Sequence, residues 1–441
     1  MQANYKSILK LAFPIIVGSA IQTSISVTDT AFMGHVGVTE LAAISVISVY
    51  YLILFMIGFS YTKGTQILIA RRLGENKLKD VGGVFDHSLV IILALAALLA
   101  LIVHFGARPS LEALLDDKLV IKASMEYIIT RKWGLLFSFT GSVFLAFYMA
   151  INRPKYLLIG IISMTTINIG LNYALIFGHF GFPKMGIKGA ALASNLAEVF
   201  AAAFFLIHVF WSGWYKKYGM FKIKSLQWQQ ISNITKLSLP IVVQTLVGLL
   251  AWFIFFTYVE KMGTEALAIS GIVKQVYMFV GIVTWALSST ANTVVSSLMG
   301  QGKSSLVLLA LKRITILSIA MNAVIAVLLA LFPIQVMSIF SPDLALLEKC
   351  VPVLYVTIVA LMVYSVSTIL YYGIVSTGST NVSLIIEVVV ILFYLMFIQF
   401  LYSIEGITIA QFWTSEIFYW LILAISCYVY LRSGHWKKIE I

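Results

Sequence analysis

Twelve stretches of this chain are long and apolar enough to cross a lipid bilayer, and that feature leaves few architectures open. They run roughly over 8–33, 41–72, 83–106, 122–150, 155–179, 187–211, 231–260, 266–299, 305–332, 345–376, 380–402 and 406–431. A helical span needs about 20 apolar residues to cross about 30 Å of hydrocarbon. Within hydrocarbon every backbone N–H and C=O must be paired inside the protein, so only helices and closed barrels cross. A barrel would be written as alternating segments of about ten residues, which these runs are not. The pattern therefore predicts an all-α polytopic membrane protein with 12 transmembrane helices. Charged residues make up 11% of the chain, against about 25% in soluble domains. Several runs exceed the minimum length, which implies tilt or ends that project into the interface. The first run is too long for a signal peptide's apolar region and lacks a small-residue cleavage site, so a retained helix is expected.

The net charge of +12 follows topology and gives no case for nucleic acid. With both termini cytoplasmic, 19 of the 30 Lys and Arg residues fall in inside segments and seven in outside loops. Cytoplasmic loops carry this excess in membrane proteins. The expected location is the plasma (inner) membrane, with the lipid bilayer as partner and both ends inside. The two cysteines, Cys350 and Cys427, lie in separate spans, and the six histidines are scattered. Neither a disulfide framework nor a metal centre follows. A membrane-embedded enzyme would need a nucleophile and base brought together. The sequence offers no such cluster, so neither catalysis nor a cofactor is expected.

Sliding the chain against itself by 226 residues places ILKLAFPIIV (8–17) on ITKLSLPIVV (234–243) and LGENK (73–77) on MGQGK (299–303). Such self-similarity marks a structural repeat. It predicts an N-terminal lobe over 1–211 with helices one to six, a cytoplasmic linker over 212–230, and a C-terminal lobe over 231–441 with helices seven to twelve. The linker is basic and aromatic, as interfacial segments are. Same-sense halves are a known transporter plan.

The motifs go further. LAFP, then TDTAFMGHVGVTELAA, then ARRLGENK, together with NRPK and INIGLNYALIFGHFGFPKMGIKGAALAS, resemble the multidrug and toxic compound extrusion (MATE) family. KLSLP, MGTEALAISGI and SSLMGQGK continue the likeness in the second half, while the last three helices match it loosely. The resemblance implies two six-helix lobes in a V around a central cavity. It implies a secondary active antiporter that exports small organic compounds, often lipophilic cations, in exchange for H⁺ or Na⁺. A lipid-linked oligosaccharide flippase of the same superfamily is the alternative. Its cavity would be rich in basic residues, and here only Lys63 and Lys274 are candidates. A monomer is expected.

Ser19, Gln22, Ser26 and Asp29 are spaced 3, 4 and 3, so they form one stripe on the first helix. Four polar groups on one stripe must face protein or water. Thr165, Asn168 and Asn172 form a stripe on the fifth span, and Ser194 and Glu198 one on the sixth. The family resemblance implies that Asp29, Asn168, Asn172 and Ser194 line the coupling-cation site. Many relatives carry Asp where this chain has Asn172. One full negative charge suits a proton, which needs a single desolvated carboxyl group. Na⁺ would use the same oxygens as ligands. Glu198 is a cavity-lining candidate or a local partner for Lys63. Pro14, matched by Pro240 in the repeat, is a candidate hinge, since an internal proline removes a backbone hydrogen bond.

Under the repeat offset the stripe becomes Thr245, Gly248, Trp252 and Phe255, so the charge disappears and coupling is expected in the first lobe alone. Tyr364, Thr368 and Tyr371 line one face of the tenth run, where aromatic rings suit lipophilic cations. Lys274 and Glu416 lie at similar depth and are expected to pair, as buried charges do. Lys63 either snorkels to the cytoplasm or favours an anionic substrate. Glu387 receives no role.

Overall fold

The computed structural model describes residues 4–222, 225–439 and 441, and gives no side-chain description for Ser24, Ser26 and Val27. Residues 223 and 224 of the linker therefore lie outside the described residues. Regular structure among those described is helical throughout. In chain order the helices are α1 (Tyr5–Val36), α2 (Val38–Gly74), α3 (Asp80–Leu114), α4 (Lys118–Arg131), α5 (Gly134–Ala150), α6 (Pro154–Phe177), α7 (Gly186–Trp211), α8 (Trp214–Tyr218), α9 (Trp228–Lys261), α10 (Thr264–Gly300), α11 (Val307–Leu331), α12 (Pro333–Met337), α13 (Leu344–Ser376), α14 (Thr380–Tyr402), α15 (Ile409–Phe412) and α16 (Thr414–Ser433).

Eleven of these segments are long and apolar enough to cross a membrane, and twelve when α4 and α5 are joined. That join corrects one expectation. The sequence predicts a continuous fourth span over 122–150, but the helix breaks at Lys132–Trp133, where α4 and α5 meet at 51°. The outward face of α3 shows what the apolar runs are for. Leu98, Leu101, Ile102 and Phe105 are each at least half exposed. Such a stripe is a liability in water and a natural surface in lipid.

The repeat is written into the helix boundaries. Shifted by 226, Val38 and Gly74 fall on Thr264 and Gly300, and Pro154 falls on Thr380. Asp117 and Asp343, equivalent by the same shift, are both N-caps. Asp117 accepts from the backbone N–H of Leu119 and Val120, and Asp343 from those of Ala345 and Leu346. Each satisfies amide donors that the first turn leaves over.

The chain contacts divide the molecule into two compact units, Val17–Val242 and Met1–Ile16 with Val243–Ile441. The divisions fall inside α1 and α9 at repeat-equivalent positions, each just beyond an internal proline, Pro14 or Pro240. Pro14 lies well past the first turn of α1, so it is a true helix-interior proline. In the Val17–Val242 unit the core is aromatic, with Phe85, Phe139, Phe144, Phe147 and Tyr148 fully buried. In the other unit Phe255, Leu354, Phe412 and Trp413 do the same work.

The linker is anchored within its own unit. The Asp86 carboxylate, on α3, accepts from the backbone N–H groups of Phe221 (2.8 Å) and Lys222 (3.0 Å). The N–H of Gln227 donates to His87 Nε2 at 3.0 Å. A Cβ on Gly82 would lie 2.3 Å from the Gly219 carbonyl oxygen, so glycine permits this close approach.

Candidate functional site

Within the Val17–Val242 unit, the first three spans of interest meet through polar side chains. Residues 168 and 172 are one turn apart on α6 and so share a face. Both asparagines are buried, at 1% and 0% exposure. Asn172 Nδ2 donates to Asp29 Oδ1 at 2.6 Å and to Asn168 Oδ1 at 3.1 Å. Asn168 Nδ2 donates in turn to Ser194 Oγ on α7 at 3.2 Å. One hydrogen-bond chain thus joins α1, α6 and α7. Interhelical bonds of this kind contribute about 0.6–2 kcal/mol each. Two buried oxygens beside it, Asn172 Oδ1 and Thr165 Oγ1, have no hydrogen-bond partner. The four residues named for coupling are therefore neighbours.

Ser19 and Gln22 of the α1 stripe are not part of this hydrogen-bond chain. Gln22 is exposed, and Ser19 is half-buried with its carbonyl taken by Thr23 Oγ1. The Ser26 side chain lies outside the described residues. Among the described residues no group of three or more His, Cys, Asp or Glu side chains is placed to hold a metal ion.

Glu198, one turn beyond Ser194 on α7, corrects a second expectation. Its partner is Arg131, not Lys63. Arg131 Nη1 donates to Glu198 Oε2 at 2.8 Å and Nη2 to Oε1 at 2.5 Å, with side-chain exposures of only 7% and 15%. Nη1 also donates to Asn195 Oδ1 at 2.8 Å, and the guanidinium lies 4.0 Å over the Tyr51 ring. Asn195 Nδ2 donates to the Thr130 carbonyl at 2.8 Å, so it satisfies one of the acceptors freed where α4 ends. Gly134 opens α5 against this cluster, and a Cβ there would sit 1.9 Å from Arg131 Nη1. Lys63 does not snorkel: it is 3% exposed, with its ammonium 4.6 Å from the centre of the Phe59 ring.

In the second unit the expected Lys274–Glu416 pair does not form. Lys274 lies over the Phe256 ring at 5.0 Å, while Glu416 accepts from Tyr394 at 2.7 Å. Neutral donors meet the acid and a ring face meets the amine, so neither needs the other. Thr368 and Tyr371 are buried with hydroxyls that no hydrogen bond of good geometry satisfies, and Tyr364 packs edge-on to Trp420 at 4.6 Å. The repeat offset carries Asp29, Asn168 and Ser194 onto Phe255, Tyr394 and Trp420. The polar chain of one unit is thus replaced by aromatic packing in the other.

Sequence reasoning missed Arg131 and Asn195 as cluster members. Arg131 was visible only as a charge near the start of a run, and nothing in spacing ties it to a residue 67 positions away.

The MatE family profile matches residues 14–174 and 240–401, well over half of the chain. This chain belongs to the MatE family. Its relatives include the probable multidrug resistance protein NorM of Agrobacterium fabrum, 27% identical over 301 residues, covering 68% of this chain and 64% of the relative. The Synechocystis protein of the same name is 25% identical over 303 residues, covering 68% and 65%. The MatE chain thus aligns with slightly under two thirds of the length of each. Among solved structures, a multidrug resistance MATE family transporter of the MOP superfamily in an outward-facing conformation superposes with a TM-score of 0.90 at 17% identity, covering 97% of this chain and 95% of the other. A MOP superfamily transporter from Pyrococcus furiosus gives 0.89 at 17%, covering 98% and 97%. The fold of this MatE protein is therefore that of MATE transporters.

Proposed function

We propose that this MatE protein is a secondary active antiporter. It exports small organic compounds, lipophilic or cationic, across the plasma (inner) membrane by alternating access, in exchange for inward H⁺. It works as a monomer with both termini cytoplasmic. The lobes are 1–211 and 231–441, the cytoplasmic linker is 212–230, and Pro14 is the hinge of α1. Asp29 carries the proton, and Asn172, Asn168 and Ser194 hold it in place.

The observation that carries this reading is the Asp29–Asn172–Asn168–Ser194 chain. Asn172 turns an N–H donor, not an oxygen, toward Asp29. The site therefore offers one full negative charge and a fixed donor, which suits binding and release of a proton. A Na⁺ reading draws support from the unpaired oxygens of Asn172 and Thr165, since hard cations take several oxygen ligands. One charge moved through 100 mV supplies about 2.3 kcal/mol, enough for roughly a 50-fold substrate gradient at about 1.4 kcal/mol per tenfold.

The test is ethidium efflux from reconstituted vesicles under imposed H⁺ or Na⁺ gradients, with wild type and Asp29→Asn. Efflux is expected to follow the pH gradient and to be lost in the variant. Efflux that requires Na⁺ and ignores pH would replace H⁺ with Na⁺, and unimpaired pumping by Asp29→Asn would remove Asp29 from the mechanism.

A further inference from the structure

Glu387 is 7% exposed in the N-terminal half of α14, and Glu387 Oε1 accepts a hydrogen bond from the Tyr419 hydroxyl of α16, at 2.6 Å. The ionisable groups that act on it are Tyr371 and Tyr372 of α13 and Tyr419 and Cys427 of α16. None is a cation. The short α15 carries no ionisable residue, and no ion pair reaches Glu387 among the described residues.

Two further features mark the place. The Tyr371 hydroxyl is buried within electrostatic reach of this carboxyl group; no hydrogen bond of good geometry satisfies it, and Ser383 of α14 is the hydroxyl it faces. On α9, a Cβ built on Gly248 would find one atom within 4 Å, Glu387 Oε1 at 3.8 Å. Gly248 is the repeat counterpart of Gln22, on the helix face that in α1 carries Asp29. The second unit has lost the acid at the Asp29 position, where Phe255 stands, yet an acid from α14 reaches the same face of α9.

We propose that Glu387 is a second proton-carrying group of the transport cycle, additional to Asp29. The inference rests on the H⁺ reading above. A carboxylate at membrane depth with no cation beside it is costly, and one hydroxyl donor offsets only part of that cost. Adding a proton removes the charge. The new O–H then needs an acceptor, and the Tyr371 oxygen is the one at hand. Na⁺ fits poorly, because two phenol oxygens and one carboxyl group fall short of the ligand number hard cations take. The step is a proton transfer alone: an O–H bond forms on the carboxylate from water on the outer side and later breaks to water on the cytoplasmic side.

The experiment measures protons moved per ethidium in vesicles, from the membrane potential at which net transport reverses. Glu387→Gln is expected to keep pumping with one proton fewer per ethidium than wild type. An active Glu387→Gln with the wild-type ratio overturns the proposal. Infrared difference spectroscopy covers the case of a variant that fails to insert. Asp29→Asn, in which coupled transport is expected to be lost, should still show a titrating protonated-carboxyl stretch, and adding Tyr371→Phe should shift that band. A silent spectrum, or a band that Tyr371→Phe leaves in place, overturns the proposal equally. Failure of Asp29→Asn to abolish coupling would instead sink the Asp29 reading, so the two outcomes stay separate.

Discussion

Replacing Glu198 with Gln keeps its shape and removes its charge, leaving Arg131 buried without a counter-ion. The side chains of the pair are 7% and 15% exposed, so solvent does little to screen it. Breaking a buried pair by removing one partner costs about 3–5 kcal/mol. The Asn195 hydrogen bond and the Tyr51 ring remain to Arg131, and ring contact alone is worth about 0.5–2 kcal/mol. The loss should therefore sit at the lower end, about 3 kcal/mol, or roughly a hundredfold in the folding equilibrium at about 1.4 kcal/mol per tenfold. The apolar double substitution Arg131→Met with Glu198→Leu removes both charges, and such swaps are often neutral or stabilising. It should melt above either single variant. The assay is unfolding of the purified protein in detergent, followed by tryptophan fluorescence against denaturant. An Glu198→Gln variant within about 0.5 kcal/mol of wild type, the range of exposed pairs, would refute the reasoning. So would a double variant no more stable than the singles.

Gly134→Ala should destabilise by about 1–3 kcal/mol, because its methyl would sit 1.9 Å from Arg131 Nη1 and 2.3 Å from Asn195 Oδ1. The same unfolding assay should show most of this loss vanish in the Arg131→Met, Glu198→Leu background. Asp86→Ala strips the acceptor from two linker amides. With each charged hydrogen bond worth about 1.5–3 kcal/mol, tryptic cleavage after Lys222 should speed up by at least about tenfold. Glu75, in the turn after α2, is raised by partial burial but lowered more strongly by hydrogen bonds from Arg72 and Lys77, so it titrates below the usual glutamate range. Its contribution is then fully present above that usual value and lost as pH falls through its folded value. Corrected for the pH dependence of intrinsic exchange, the protection of the Asn76 and Lys77 amides should fall on acidification in wild type and hold in Glu75→Gln.

The spans were legible because hydrocarbon imposes a length and a composition on every one of them. The repeat was legible because the same turn chemistry recurs at Gly74 and Gly300 and the same cap at Asp117 and Asp343. Spacing on single helices gave the polar stripes that contain Asp29, Asn168, Asn172 and Ser194, since residues three and four apart share a face, but it was the family resemblance that joined these four into one set. Partner choice was not legible. Arg131 outcompetes Lys63 for Glu198, and Tyr394 displaces Lys274 from Glu416, through contacts made across helices. The bend at Lys132–Trp133 was invisible for a similar reason, because hydropathy registers side chains and not the direction of the backbone.

The α14–α16 contact carries a consequence for how the chain is made. Glu387 on α14 takes its hydroxyl from Tyr419 on α16, and Glu416 on α16 takes its own from Tyr394 on α14, with the two tyrosine rings 5.2 Å apart. Each segment holds the donor that the other's acid needs. Released singly from the translocon, either would meet lipid with an unsolvated acid. The two segments should therefore wait for each other and partition into the bilayer together, as a hairpin.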